Sequence, residues 1–176
     1  TAFIGGLLAK INPKNSFYIW IGSQKKVFPA GLKAFGLQPH QIIFISLAKQ
    51  KDILWATEEA LKCKSVQGVI SELESISFAQ SQRLQLTIEK SNVTCYILRT
   101  NNQTNATTCT ARWQISPLAS YSTDAELPGI GFANWKVELL KVRNGTPTSF
   151  NVAWLNGQFT NVAQIETARI LRKALG

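Results

Sequence analysis

The sequence predicts an α/β fold in which a parallel sheet flanked by helices is followed by antiparallel strands. Three observations predict it. Residues 66–73 (VQGVISEL) are apolar through the middle, with a carboxylate, Glu72, at the exit; a strand covered by helices on both faces reads this way. Between residues 16 and 98 strand-like and helix-like segments alternate, which calls for parallel strands joined by right-handed crossovers. Beyond Arg99 the helical period is lost, and strand-like runs are punctuated by Asn-Gly, a hairpin signal.

In chain order, residues 1–11 (TAFIGGLLAKI) are apolar nearly all round and predict a buried helix. Such domains usually begin with a strand, so an upstream strand and loop are expected before residue 1. Residues 16–22 (SFYIWIG) are β-branched and aromatic, a buried strand. Phe28-Pro29 starts a short helix that stops at Gly36, and residues 41–46 (QIIFIS) form the next strand. In residues 51–64 the positions Ile53, Leu54, Ala56, Thr57, Ala60 and Leu61 make one apolar helix face. Ser77 caps a helix reaching Lys90, with Phe78, Leu84, Leu86 and Ile88 as its packing residues. Residues 93–98 form a strand. Three more are expected at 111–115, 134–142 and 149–155, the last two joined by Asn144-Gly145. Asn156-Gly157 marks another turn. Residues 163–175 read as an amphipathic helix, so the predicted division is a core over 1–162 and a terminal helix over 163–176.

Composition narrows the function. With 45% hydrophobic and 16% charged residues, the chain can bury a core. No apolar run approaches the roughly 20 residues needed to cross a bilayer, so no membrane partner is expected, and residues 1–11 lack a signal-peptide pattern. Cys63, Cys95 and Cys109 are odd in number and have no C-x-x-C spacing. That argues against a zinc site or disulfide framework and for a reducing cytosol. The net charge is +9, and seven lysines precede the first acid, Asp52. Such a balance favours nucleic acid or another polyanion.

Several stretches resemble the ImuA family, the RecA-like and SulA-related proteins of inducible error-prone repair cassettes. They are residues 52–63 (DILWATEEALKC), Arg83-Leu84-Gln85-Leu86, Arg112-Trp113 and residues 135–145 (WKVELLKVRNG), and the match extends over about residues 3–159. The resemblance implies a RecA-like core, bacterial cytoplasmic and nucleoid-associated, acting in DNA-damage mutagenesis. It implies RecA, a Y-family polymerase-like protein and an error-prone replicative-type polymerase as partners. It also places Glu72 where RecA-like ATPases keep their strand-exit acid, and residues 100–110 where RecA has its second DNA-binding loop.

The chemistry of individual residues is weighed beside that. A phosphate-binding ATPase needs a Gly-rich loop, a lysine on the outer phosphates and a hydroxyl on magnesium. No G-x-x-x-x-G-K-[ST] occurs in these residues, so no cofactor or catalytic residue is expected. Glu72 is then a strand-end carboxylate paired with a cation or capping a helix. For single-stranded DNA, Asn101, Asn102, Thr104 and Asn105 could touch phosphates, with charge from Arg99 and Arg112, and with Lys25 and Lys26 at the carboxyl edge of the sheet. The alternative for these is a polar loop and solvated lysines. Trp55 either packs or anchors a partner, as Arg169, Arg172 and Lys173 on the terminal helix could. His40 has no second histidine and reads as a loop residue. The reading is a non-catalytic adaptor in SOS mutagenesis. Two alternatives are a SulA-like cell-division inhibitor binding FtsZ, and a piece of a RecA-type ATPase whose P-loop lies upstream.

Overall fold

The computed structural model describes residues 1–11, 16–23, 27, 29–99, 105–120 and 131–163. They divide into two units. One comprises residue 1 and the described residues of 11–109; the other comprises residues 2–10 and the described residues from 110 onward.

The first unit is the α/β part. Strands β1 (Tyr18–Gly22), β2 (Ile42–Ser46), β3 (Gly68–Leu73) and β4 (Thr94–Arg99) form one sheet in the order β2-β1-β3-β4. All three pairings are parallel, with Trp20 beside Phe44 and Ile70. The crossovers carry α2 (Pro29–Lys33), α3 (Gln50–Leu61) and α4 (Phe78–Ser91). Every residue of β1 is buried, as its β-branched and aromatic composition predicts. One face of the sheet packs Ile19, Ile21, Val69 and Leu73 against Ile53 and Leu61 of α3 and Leu84 of α4. Ser77 caps α4 as expected: its hydroxyl accepts from the Gln80 amide, and the Gln80 side chain accepts from the Ser77 amide, a reciprocal capping box. Asn92 closes the same helix in the left-handed conformation, at φ 60°.

A polar pair sits inside this core. Thr57 on α3 donates its hydroxyl to the Ile53 carbonyl at 2.7 Å and lies 2.6 Å from the Ser71 hydroxyl of β3. Since the Thr57 proton is committed to the helix, Ser71 donates to Thr57. Both hydroxyls are thereby satisfied although fully buried, which removes the cost of leaving them unpaired.

Burial also shifts titration. Desolvation pushes Tyr18 up to about 12, helped by Tyr96, and pushes the Cys95 thiol up to about 12; Tyr96 moves the same way, first by burial and then by Cys95. In the unfolded chain these groups ionise near about 10 for tyrosine and about 8.5 for cysteine. The folded state therefore holds its protons longer. Stability from this source is complete below about pH 8.5 and is lost as pH rises toward the folded values. The thermal midpoint should fall steadily between about pH 8.5 and 11, and Cys95→Ala should flatten the first part of that fall. A midpoint flat over the whole range would contradict it.

The second unit is a four-stranded antiparallel meander, β5 (Ala111–Pro117), β6 (Asn134–Val142), β7 (Thr148–Leu155) and β8 (Gln158–Asn161), in chain order. Three of these strands match the expectation. The fourth, β8, was expected only as a turn. Asn156 and Gly157 both have positive φ, at 50° and 73°, as a tight two-residue hairpin requires, and the chain returns along β7 with Phe159 opposite Trp154. Alternation puts Trp135, Val137, Val152, Trp154 and Phe159 on one face. Helix α1 (Ala2–Ile11) covers part of it. Phe3 meets the rings of Trp135 and Phe159 at centroid distances of 5.7 and 5.0 Å. Gly6 lies so close that an added Cβ would stand 2.8 Å from the Trp154 ring and 2.9 Å from Phe159. The helix expected at the start of the chain is present, and its partner is the antiparallel sheet.

Candidate functional site

Glu72 stands at the carboxyl end of β3, where ligands of parallel sheets bind. Its surroundings are built by β1. The Trp20 indole N–H donates to Glu72 Oε1 at 2.9 Å. Trp20 is itself buried and stacks on Phe44 at 6.2 Å with an interplanar angle of 29°. Gly22, at the exit of β1, leaves room for the carboxylate: a Cβ there would come within 2.7 Å of Glu72 Oε2. In place of a helix cap the acid has an indole donor, and it also interacts electrostatically with the amino group of Thr1. The ring is 52 residues away in sequence and reaches Glu72 only because β1 and β3 are neighbours. One oxygen of the half-buried acid is held by a neutral donor, and the other rests over a glycine. No cluster of three or more metal-ligating side chains occurs among the described residues.

The other sequence-derived candidates are distributed as follows. Lys25, Lys26, Asn101, Asn102, Thr104, Arg169, Arg172 and Lys173 lie outside the described residues. Arg99 ends β4, half-buried and beside Leu73 of β3. Asn105 is exposed. The residues after it are tied down: the Thr108 amide donates to Ser81 Oγ of α4 at 3.1 Å, and Thr107 is buried, its hydroxyl donating to Cys109 Sγ at 2.9 Å. Arg112 belongs to the second unit, where it faces Lys141 across β5 and β6. Trp55 is 63% exposed on α3, so the packing reading is replaced by the exposed one. Phe78 and Leu86, expected to pack, are each 54% exposed. Beside Trp55 in sequence, Glu58 bridges to Arg83 of α4 at 2.7 Å.

In the second unit the structure places Trp113, adjacent to Arg112 in sequence, together with two cations that the sequence did not single out. A bulge separates Arg112 from Trp113. Trp113 is 49% exposed and sits edge-on to Phe150 at 6.4 Å. Lys141 and Arg143 are exposed nearby in β6 and the following turn, and the Arg143 amide closes the strand pair by donating to the Thr110 carbonyl at 2.8 Å.

Over 157 residues, covering 84% of this chain, it is 25% identical to Protein ImuA of Caulobacter vibrioides strain NA1000 / CB15N, and equally to Protein ImuA of strain ATCC 19089 / CIP 103742 / CB 15. The chain is similar to ImuA. It spans 63% of the length of the ImuA proteins it matches. No family model matches. Among solved structures, the crystal structure of SulA from Pseudomonas aeruginosa aligns with a TM-score of 0.49 and 18% identity, over 55% of this chain and 83% of that one. In the ImuA-like chain no helix of the described residues is long and apolar enough to cross a membrane.

Proposed function

We propose that this chain is a non-catalytic accessory protein of DNA-damage-induced error-prone repair, an adaptor that brings RecA together with a Y-family polymerase-like protein and an error-prone replicative-type polymerase. Its core would be RecA-like, with a contact to single-stranded DNA added to the protein contacts. The similarity to ImuA supports the setting. The observation that carries the non-catalytic part is the hydrogen bond from Trp20 to Glu72. In this reading the strand-exit acid locks β3 to β1, and it has no magnesium to hold. Exposed Trp55 on the outside of α3 supplies an anchor of the type that dominates protein interfaces.

Substitution of Glu72 separates this from a nucleotide-driven mechanism. Glu72→Gln keeps an oxygen for the indole and should leave stability within about 1 kcal/mol of the parent. Capture of RecA and of the two polymerase partners should be unchanged. Glu72→Leu strands the Trp20 N–H and should cost about 1–3 kcal/mol. Pull-downs with and without ATP, run beside FtsZ as a competing bait, test the adaptor. ATP-dependent capture that Glu72→Gln abolishes would refute the non-catalytic reading, and capture of FtsZ alone would refute the repair setting.

A further inference from the structure

Helices α3 and α4 bury one side on the parallel sheet and turn the other to solvent. Each returns from the end of one parallel strand to the start of the next, so the two run in the same direction. They share one core through Ile53, Leu61 and Leu84, and the Glu58–Arg83 bridge ties them together at 2.7 Å. Two apolar side chains stand on the solvent side, Trp55 and Leu86. Trp55 comes three residues before Glu58, and Leu86 three residues after Arg83. At about 1.5 Å per residue, each lies about 4.5 Å along its helix from the bridge, in opposite directions. The bridge is thus the midpoint between an exposed indole and an exposed isobutyl group. Charge sets this layer apart. The chain carries +9, yet α3, its C-cap Lys62 and α4 together hold four cations and four acids. Two of those pairs close within the layer, Glu58 with Arg83 and Glu59 with Lys62 at 2.6 Å. A polyanion finds no net charge to neutralise here. Two copies of so basic a chain repel each other elsewhere, and this neutral layer is where they can approach.

We propose that this face pairs with the same face of a second copy of the chain, about a two-fold axis that lies along the face and passes over the Glu58–Arg83 bridge. In such an interface every contact is made twice. The axis sets Trp55 of each copy on Leu86 of the other, so both exposed apolar groups are covered at once. The inference rests on the reading of Trp55 as an interface anchor and names the partner that the anchor takes. Size sets the strength. Helices of 12 and 14 residues, about 20 Å long and about 10 Å apart, present on the order of 400 Å², half of the roughly 800 Å² per partner in a standard interface. The dimer is accordingly reversible. It fills at high protein concentration and is dissociated in the dilute solutions where unfolding is read.

Sedimentation equilibrium of the whole chain, treated with nuclease, tests this. The average mass should rise from one chain toward two as concentration climbs through the micromolar range. Added salt should strengthen the association by screening the +9 on each copy. Trp55→Ala should weaken it at least about thirtyfold, the loss expected for a hot-spot aromatic, and Leu86→Ala about fivefold. Phe78 is as exposed as Leu86, but it lies about 140° round α4 from Arg83, against about 60° for Leu86, so Phe78→Ala should leave the dimer unchanged. Circular dichroism confirms that each variant is folded. A parent that stays monomeric at every concentration would overturn the inference; if Trp55→Ala then abolishes capture in the pull-downs, the anchor reading survives with a foreign protein as its occupant. A dimer that Trp55→Ala and Leu86→Ala both leave intact uses another surface and overturns this one. A dimer that these variants break, in a chain that captures no repair protein, would sink the adaptor and keep the inference.

Discussion

Replacing Trp154 with alanine should destabilise the protein by about 3–5 kcal/mol, the range for truncating a buried large aromatic. The ring is buried, meets Phe159 edge-on at a centroid distance of 4.9 Å and lies directly under Gly6 of α1. Its loss opens a cavity between helix and sheet that neither can close without breaking the Phe3 contacts with Trp135 and Phe159. Gly6→Ala probes the same seam from the other side. In a helix this change ordinarily stabilises by up to about 1 kcal/mol. Here the new methyl meets two rings, and the sign should reverse to a net loss of about 1–3 kcal/mol. Urea denaturation followed by tryptophan fluorescence reads both variants. A stabilising Gly6→Ala would mean that α1 does not sit on this face.

Ile53→Ala should cost about 2–5 kcal/mol. Ile53 is fully buried between α3 and the parallel sheet, and its carbonyl accepts the Thr57 hydroxyl. The expected signature is a lower urea midpoint at unchanged slope, since the surface exposed on unfolding stays the same. The contrast is with Phe78→Ala and Leu86→Ala. These remove as much or more apolar side chain, yet both residues are mostly exposed, so each should cost no more than about 1 kcal/mol. Equal losses at Ile53 and Leu86 would show that the outer face of α4 is covered in solution.

Those two helices also show where sequence reading succeeds and where it fails. At about 100° per residue, Leu86 lies some 200° round from Leu84, on the side facing away from the core. Trp55 stands in the same relation to Ile53. Strict use of the helical period would have placed both outside; hydrophobicity alone put Leu86 inside. Strands β1, β3 and β6 were readable because their composition and alternation are local. So was the Ser77 cap, whose partner Gln80 is three residues away. By contrast, β8 is four residues of mostly polar chain, and its strand character comes from pairing with β7. The Trp20–Glu72 contact depends on strand order, which no local pattern encodes. Lys141 and Arg143 read as ordinary solvated charges until the register sets Lys141 opposite Arg112.

The seating of α1 has a consequence for biosynthesis. The helix is translated before the surface it covers, which is not complete until Trp135, Trp154 and Phe159 have emerged. An apolar segment must therefore wait, unburied, while more than a hundred residues of chain are added, roughly five to twenty seconds at ordinary elongation rates. Holdase chaperones are the natural occupants of that interval, and a nascent chain stalled before Phe159 should be the form they retain most strongly.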